Sequence, residues 1–245
     1  MLPPVERPDE ADGDRAAALE AIKETYAGYD RGGRSLLRAS HARGFARLVE
    51  DLERHVLNDL GRSLPPNRAA TVLDLGCGTG DLAAAAAAGV SRWIGVDLRP
   101  DAIETARARF PQGSFITASA DEVPLDDGTV DVVVARLLFS SLPSPRLEAG
   151  VAREVGRLLR PGGWLVWSDI RYSNPSNPAV HGLPSASVER LFPGWEHDLH
   201  IVGLLPPIAR RLGRLTPVAY PVLAALPPLR SHVVGRLRRP ADAGG

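Results

Sequence analysis

Apolar positions along the chain follow two rhythms. From Ala16 to Ala27 and from Leu36 to Leu60 they recur at helical spacing, with Leu48, Leu52, Val56 and Leu60 on one face, and Gly28, Gly32 and Gly33 interrupt the pattern. Asn58 to Pro66 read as a linker. Beyond it, short apolar runs alternate with helical stretches: strand 71–75, helix 79–88, strand 92–96, helix 100–109, strands 114–117 and 130–135, helix 144–159 and strand 163–168. Such alternation predicts a parallel sheet covered by helices on both faces. Pro100 suits the first turn of a helix, and the alanines at 83–88 let their helix pack close to the sheet.

The rhythm changes after Asp169. Tyr172-Ser-Asn-Pro-Ser-Asn-Pro178 is a turn-rich loop at the carboxyl end of the fifth strand, where ligands of open α/β sheets bind. Residues 197–204 alternate as a strand, and 231–238 form its expected antiparallel partner. Between them, Leu205 to Leu229 hold repeated prolines and two short apolar helices, read as a cap over the site and also compatible with a homodimer interface.

Composition narrows the class. A chain of 245 residues buries one enlarged core more readily than two. Formal net charge is +0, so no global field favours nucleic acid. Cys77 is the sole cysteine, which excludes an internal disulfide and a multi-cysteine metal site, and no metal is expected. The amino-terminal residues lack the apolar run of a signal peptide and no stretch has membrane-span length, so a cytoplasmic protein is the expectation. Residues 1–14 are acidic and read as a disordered tail. From 205 onward seven arginines face only Asp242, which admits an anionic substrate or peripheral membrane contact; with Lys23 as the sole lysine, a solvated arginine surface is the plainer reading.

The chemistry centres on Thr71-Val-Leu-Asp-Leu-Gly-Cys-Gly-Thr-Gly80, a buried strand running into a glycine turn and a helix. Gly76, Gly78 and Gly80 let backbone approach a nucleotide-like ligand. The spacing is neither the dinucleotide fingerprint nor a phosphate-cradling loop with its Lys-Ser/Thr. The next strand ends in Asp97, whose carboxylate can accept hydrogen bonds from both hydroxyls of a ribose.

These residues resemble the class I S-adenosylmethionine-dependent methyltransferase family. Val72 to Gly80 is similar to its first motif and Gly95-Val-Asp97 to its ribose-binding motif. Ala120 to Val134 resembles the segment that lines the adenine pocket and enters the fourth strand. Leu158-Leu-Arg-Pro-Gly-Gly-Trp-Leu-Val166 resembles the turn before the fifth. The likeness spans residues 68–170 in register. It implies a Rossmann-like α/β fold with a seven-stranded, mostly parallel sheet, an N-terminal helical cap over 15–66, and a methyltransferase domain over 67–245 with its insertion at about 205–229.

The resemblance also implies the site. Asp74, Gly76, Cys77, Gly78 and Gly80 would hold the methionine end of S-adenosylmethionine, with Cys77 a small turn residue; Asp97 and Leu98 would meet the ribose; Ser119, Ala120 and Asp121 would meet adenine. Ser119 stands where the family usually has an aspartate, leaving Asp121 or the backbone at Ala120 as alternatives. Arg136 ends the fourth strand and either reaches the cofactor or makes a surface ion pair. Ser140 and Ser141 stand where a histidine or glutamate is frequent.

Methyl transfer asks mainly for alignment and exclusion of water, with a base where the acceptor is a hydroxyl. Candidate bases are His181, Asp169 and His41, with Tyr172 as an orienter. Tyr26, Tyr29, Arg34 and Arg38 are candidates for closing the site from the cap. Asn174-Pro175-Ser-Asn does not reproduce the Asn-Pro-Pro-aromatic motif of amino-directed nucleic-acid enzymes, so a small-molecule acceptor is expected, an oxygen of a sugar, glycan or secondary metabolite. A non-catalytic adenosyl-cofactor-binding module and a nicotinamide-dependent oxidoreductase are the alternatives.

Overall fold

The computed structural model describes residues 8–31, 43–66, 70–86, 90–174, 177 and 179–241. Two helices, α1 (Pro8–Arg31) and α2 (Arg43–Ser63), precede the sheet. Then follow β1 (Thr71–Leu75), α3 (Asp81–Ala86), β2 (Arg92–Asp97), α4 (Pro100–Arg109), β3 (Ser114–Thr117), β4 (Val130–Arg136), α5 (Pro145–Leu158) and β5 (Leu159–Ile170). The carboxyl-terminal part adds α6 (Ser185–Leu191), β6 (Glu196–Leu204), α7 (Pro206–Arg211), α8 (Thr216–Ala224) and β7 (Arg230–Arg238).

The seven strands lie in the order β3-β2-β1-β4-β5-β7-β6. The first five are parallel, and β7 enters antiparallel to both β5 and β6. The sheet is therefore mixed but mostly parallel. Its period-2 alternation sorts side chains onto two faces. Leu73, Leu75, Ile94, Val96, Val133, Leu165 and Trp167 meet α5 and α6 on one side. Val72, Trp93, Val132, Val134 and Val166 meet α2, α3 and α4 on the other. The strands are buried on both faces, which is why they read as continuous apolar runs.

Local chemistry starts and places the helices. Ser144 accepts the Leu147 N–H with Pro145 in the first turn, so α5 begins abruptly after β4 and sets Leu147, Val151, Val155 and Leu158 on its inner stripe. A third apolar cluster joins Phe45 and Leu48 of α2 to Leu204, Ala209 and Tyr220. It seats α7 and α8 on α2. Contact there is close: a Cβ on Gly44 would stand 2.0 Å from the Ala209 carbonyl oxygen.

Several boundaries differ from the expected ones. Residues 8–14, expected in the disordered tail, belong to α1, while 1–7 lie outside the described residues. Arg15 of this helix has a long-range carboxylate partner, Asp121. Residues 58–63, expected in the linker, continue α2, because Asp59, Leu60 and Ser63 are buried against the sheet. The part of the second helix expected over 36–42 lies outside the described residues, as do 87 and 88 of the third.

Candidate active site

The turn after β1 is shaped by positive φ at Gly76 (79°), Gly78 (51°) and Gly80 (77°), the left-handed region that glycine enters freely. Gly76 and Cys77 N–H groups both donate to the Val96 carbonyl, at 2.8 and 2.9 Å, which ties the turn to the end of β2. Gly78 N–H donates at 2.9 Å to one oxygen of Asp97, and Arg99 N–H at 2.9 Å to the other. Two N–H groups thus aim the Asp97 carboxylate, and each oxygen keeps a lone pair for a further donor. Burial raises the Asp97 pKa, and these two bonds oppose the rise.

A cavity of about 380 Å³ opens beside this turn, at the carboxyl ends of β1, β2 and β4. Asp74, Gly76, Cys77, Gly78, Asp97, Leu98, Ser119, Ala120 and Arg136 all line it. Gly80 does not; an added Cβ there would stand 3.1 Å from Ala106 Cβ, so this glycine lets α4 approach the turn. Asp74 is fully enclosed. Its pKa is pushed up to about 7 by burial, with Arg136 opposing and Asp97 and Asp81 adding to the rise. The Cys77 thiol is raised too, chiefly by burial, and is no thiolate nucleophile.

The roof comes from the two N-terminal helices. Leu19, Ile22 and Tyr26 of α1 and Val49, Leu52 and Glu53 of α2 face the cavity. The Tyr26 hydroxyl is hydrogen-bonded to Ser141 after β4, and the Arg99 guanidinium lies 5.7 Å from its ring centroid. At the end of β4, Leu137 adopts φ 53°, a strained value for a non-glycine residue, and its N–H donates to the Ser168 carbonyl at 2.8 Å. It lines the cavity with Leu138 and Ser141. Among the described residues Glu53 has no ion-pair or hydrogen-bond partner.

Besides Gly80, four sequence-predicted residues stand elsewhere. Asp121 does not line the cavity: its carboxylate accepts from Arg15 and from the Ser119 hydroxyl. Asp169 is buried beneath the turn at Phe139–Ser141, accepting the Ser140 N–H at 3.0 Å and the Ile170 N–H at 2.8 Å. Its pKa is raised to about 6 by burial against these bonds. His181 turns to Glu148, with Nε2 3.1 Å from the carboxylate, and neither it nor Asp169 lines the cavity. Tyr172 lies against α8's far end, its hydroxyl donating to the Pro228 carbonyl. His41, Arg34, Arg38 and the Tyr29 side chain lie outside the described residues. Sequence reasoning missed Glu53, Arg99 and Leu137. Glu53 did carry a signal, since it follows Leu52 on a helix and falls off the four-residue core stripe.

The family model described as a methyltransferase domain matches residues 72–163, from β1 through the turn into β5. These are the residues that build the floor of the cavity. Over residues 72–163 the chain carries a methyltransferase domain, and this is the stretch that resembles class I S-adenosylmethionine-dependent methyltransferases. The chain is 42% identical over 105 residues to a ribosomal protein L11 methyltransferase of Dechloromonas aromatica, covering 42% of this chain and 33% of that one. It is 32% identical over 174 residues to a trans-aconitate 2-methyltransferase of Azoarcus, covering 63% and 62%. The chain spans less than half the length of the first curated relatives it matches. In fold, the chain resembles the N-methyltransferase NodS of Bradyrhizobium japonicum, with a TM-score of 0.60, 16% identity and coverage of 79% and 97%. Among the described residues no three His, Cys, Asp or Glu side chains could together hold a metal ion. Among them, too, no helix is long and apolar enough to cross a membrane.

Proposed function

We propose that the protein transfers the methyl group of S-adenosylmethionine to an oxygen of a small acceptor such as a sugar, a glycan or a secondary metabolite. The carrying observation is the roofed cavity: about 380 Å³ between the glycine turn and α1–α2, a size in the range of small-ligand sites. The residues fit the cofactor. Asp97 keeps two lone pairs for the ribose hydroxyls, Leu98 and Ala118 to Ala120 supply an apolar flank for adenine, and the backbone of Gly76 and Gly78 lets the methionine end approach. Ser119 donates its proton to Asp121, so its oxygen presents only lone pairs to an adenine amino group.

S-adenosylmethionine supplies, when bound, a methyl group already activated on a sulfonium. The chain's own work is to orient, to exclude water and to take a proton. Tyr26, Leu138 and Leu142 close the cavity against water. Glu53, facing the cavity without a partner among the described residues, is the carboxylate we assign to the acceptor hydroxyl's proton. The base role considered for Asp169 and His181 does not suit their placement, since both are engaged outside the cavity.

Incubation with methyl-labelled S-adenosylmethionine and a panel of hydroxylated sugars and metabolites should yield label in a small-molecule product. Label found only in protein or RNA would overturn the acceptor class. A cofactor-binding module without turnover is the second reading, favoured by the position of Asp169 and His181; it predicts adenosyl binding with no transfer to any acceptor.

A further inference from the structure

The segment between β6 and β7 leaves an apolar ridge in water. Leu215, Val218, Val222 and Leu226 are 68, 74, 63 and 49% exposed, at a spacing that puts them on one side of α8 and its flanks. The opposite side buries Thr216 and Tyr220 against α2. α8 carries no charged residue, so it is apolar both toward the core and toward solvent. Soluble surfaces rarely keep such a contiguous patch without a use.

Along the segment that carries the ridge the charge has one sign. Between Leu205 and Ala241 there is no Asp or Glu. Arg211 and Arg214 are exposed at the amino end of the ridge and have no acidic partner among the described residues. Arg210 beside them lies over the Phe45 ring, 4.5 Å from its centroid. At the other end Arg171 donates to the Pro227 carbonyl at 3.0 Å, with half-exposed Tyr172 beside it.

We propose that this ridge docks on a membrane leaflet bearing anionic lipid, its valines and leucines entering the interface and its arginines meeting the headgroups. Two terms of this kind are what stable peripheral binding requires, since a modest apolar insertion alone is weak and reversible. Charge also decides against a second copy of the chain as the occupant. A two-fold interface sets a patch against itself, and a segment that carries arginines and no acidic residue offers its copy no opposite charge. The ridge has a path to the cavity: Val49 and Leu52 of α2 line the cavity and also pack against the cluster beneath α7 and α8.

The test is co-sedimentation of the full chain with vesicles of phosphatidylcholine alone and of phosphatidylcholine mixed with phosphatidylglycerol. The protein should pellet only with the mixed vesicles, and less at high salt. Arg211→Gln with Arg214→Gln should weaken partition about 30-fold, at about 1 kcal/mol per arginine. Val218→Ser with Val222→Ser should weaken it ~10-fold or more. Both pairs are exposed, so an unchanged melting temperature separates lost docking from lost folding. No binding to mixed vesicles, equal binding to neutral ones, or serine variants that partition like the parent would each overturn the proposal. So would a dimer in light scattering that the serine variants dissolve while vesicle binding stays unchanged.

Discussion

Arg15 on α1 grips Asp121 beyond β3, 106 residues away, with Nε 2.7 Å and Nη2 3.1 Å from the two carboxylate oxygens. The same guanidinium reaches Glu122 at 2.8 Å, and Asp121 also accepts the Ser119 hydroxyl. Two parallel bonds give the pair a defined geometry, so α1 is fastened at the Ser119 end of the cavity while Tyr26 closes it near Ser141.

Arg15→Gln should therefore loosen the roof and leave the sheet intact. Affinity for S-adenosylhomocysteine by calorimetry is expected to fall ~10-fold, about the value of one charge-assisted hydrogen bond, with faster protease cleavage within residues 8–31. Burial alone would raise the Asp121 carboxyl, but the Arg15 and Ser119 bonds outweigh it and the net value is lowered. A lowered carboxylate contributes its stability above the unfolded value and loses it as pH falls through the folded one. Acidification should weaken binding in the parent more than in Asp121→Asn.

Asp97→Ala removes the acceptor of two backbone N–H groups and of the proposed ribose hydroxyls. Adenosyl ligands should bind at least ~100-fold more weakly, while NAD shows no binding to either form. Equal binding by parent and variant would remove Asp97 from the site.

Asp74 carries the opposite pH sign to Asp121. Its folded pKa is raised to about 7 by burial, so the folded protein holds a proton that the unfolded chain releases. Stability is then lost as pH rises from the ordinary carboxyl value through about 7. Asp74→Asn lacks this loss. Its melting temperature should overtake the parent's across that range, with an unfolding free energy higher by up to about 4 kcal/mol above it.

Glu53→Gln should lower kcat for a hydroxyl acceptor ~100-fold or more, with adenosyl affinity unchanged, because only the proton acceptor is lost. An unaltered kcat would assign the base elsewhere.

Gly95 sits in β2 where a Cβ would stand 2.5 Å from the Phe115 ring and 2.9 Å from Cys77 Sγ. Gly95→Ala should cost about 2 kcal/mol of stability by overpacking, read as a fall in melting temperature, and Phe115→Leu in the same chain should restore part of it.

The strands, the glycine turn and Asp97 were legible in the sequence because each rests on local chemistry. Val72, Leu73 and Leu75 are buried on opposite faces by a period of two, Gly76 and Gly78 need a backbone conformation that neighbours cannot supply, and Asp97 is placed by the end of its own strand. Pro100 and Arg109 likewise bound α4 at the residues their pattern predicted. Direction of side chains at the rim was not local. Asp121 turns from the cavity because Arg15 arrives from another helix, Asp169 because the Ser140 N–H lies over it, and His181 because Glu148 stands on α5. The place of Glu53 at the cavity and the exposed side of α8 likewise depend on how α2 packs against the rest of the chain, α7 included, at Gly44 and Ala209. A strand's period repeats within a few residues, whereas an ion pair is chosen among all the partners that folding brings near, and only the tertiary structure makes that choice.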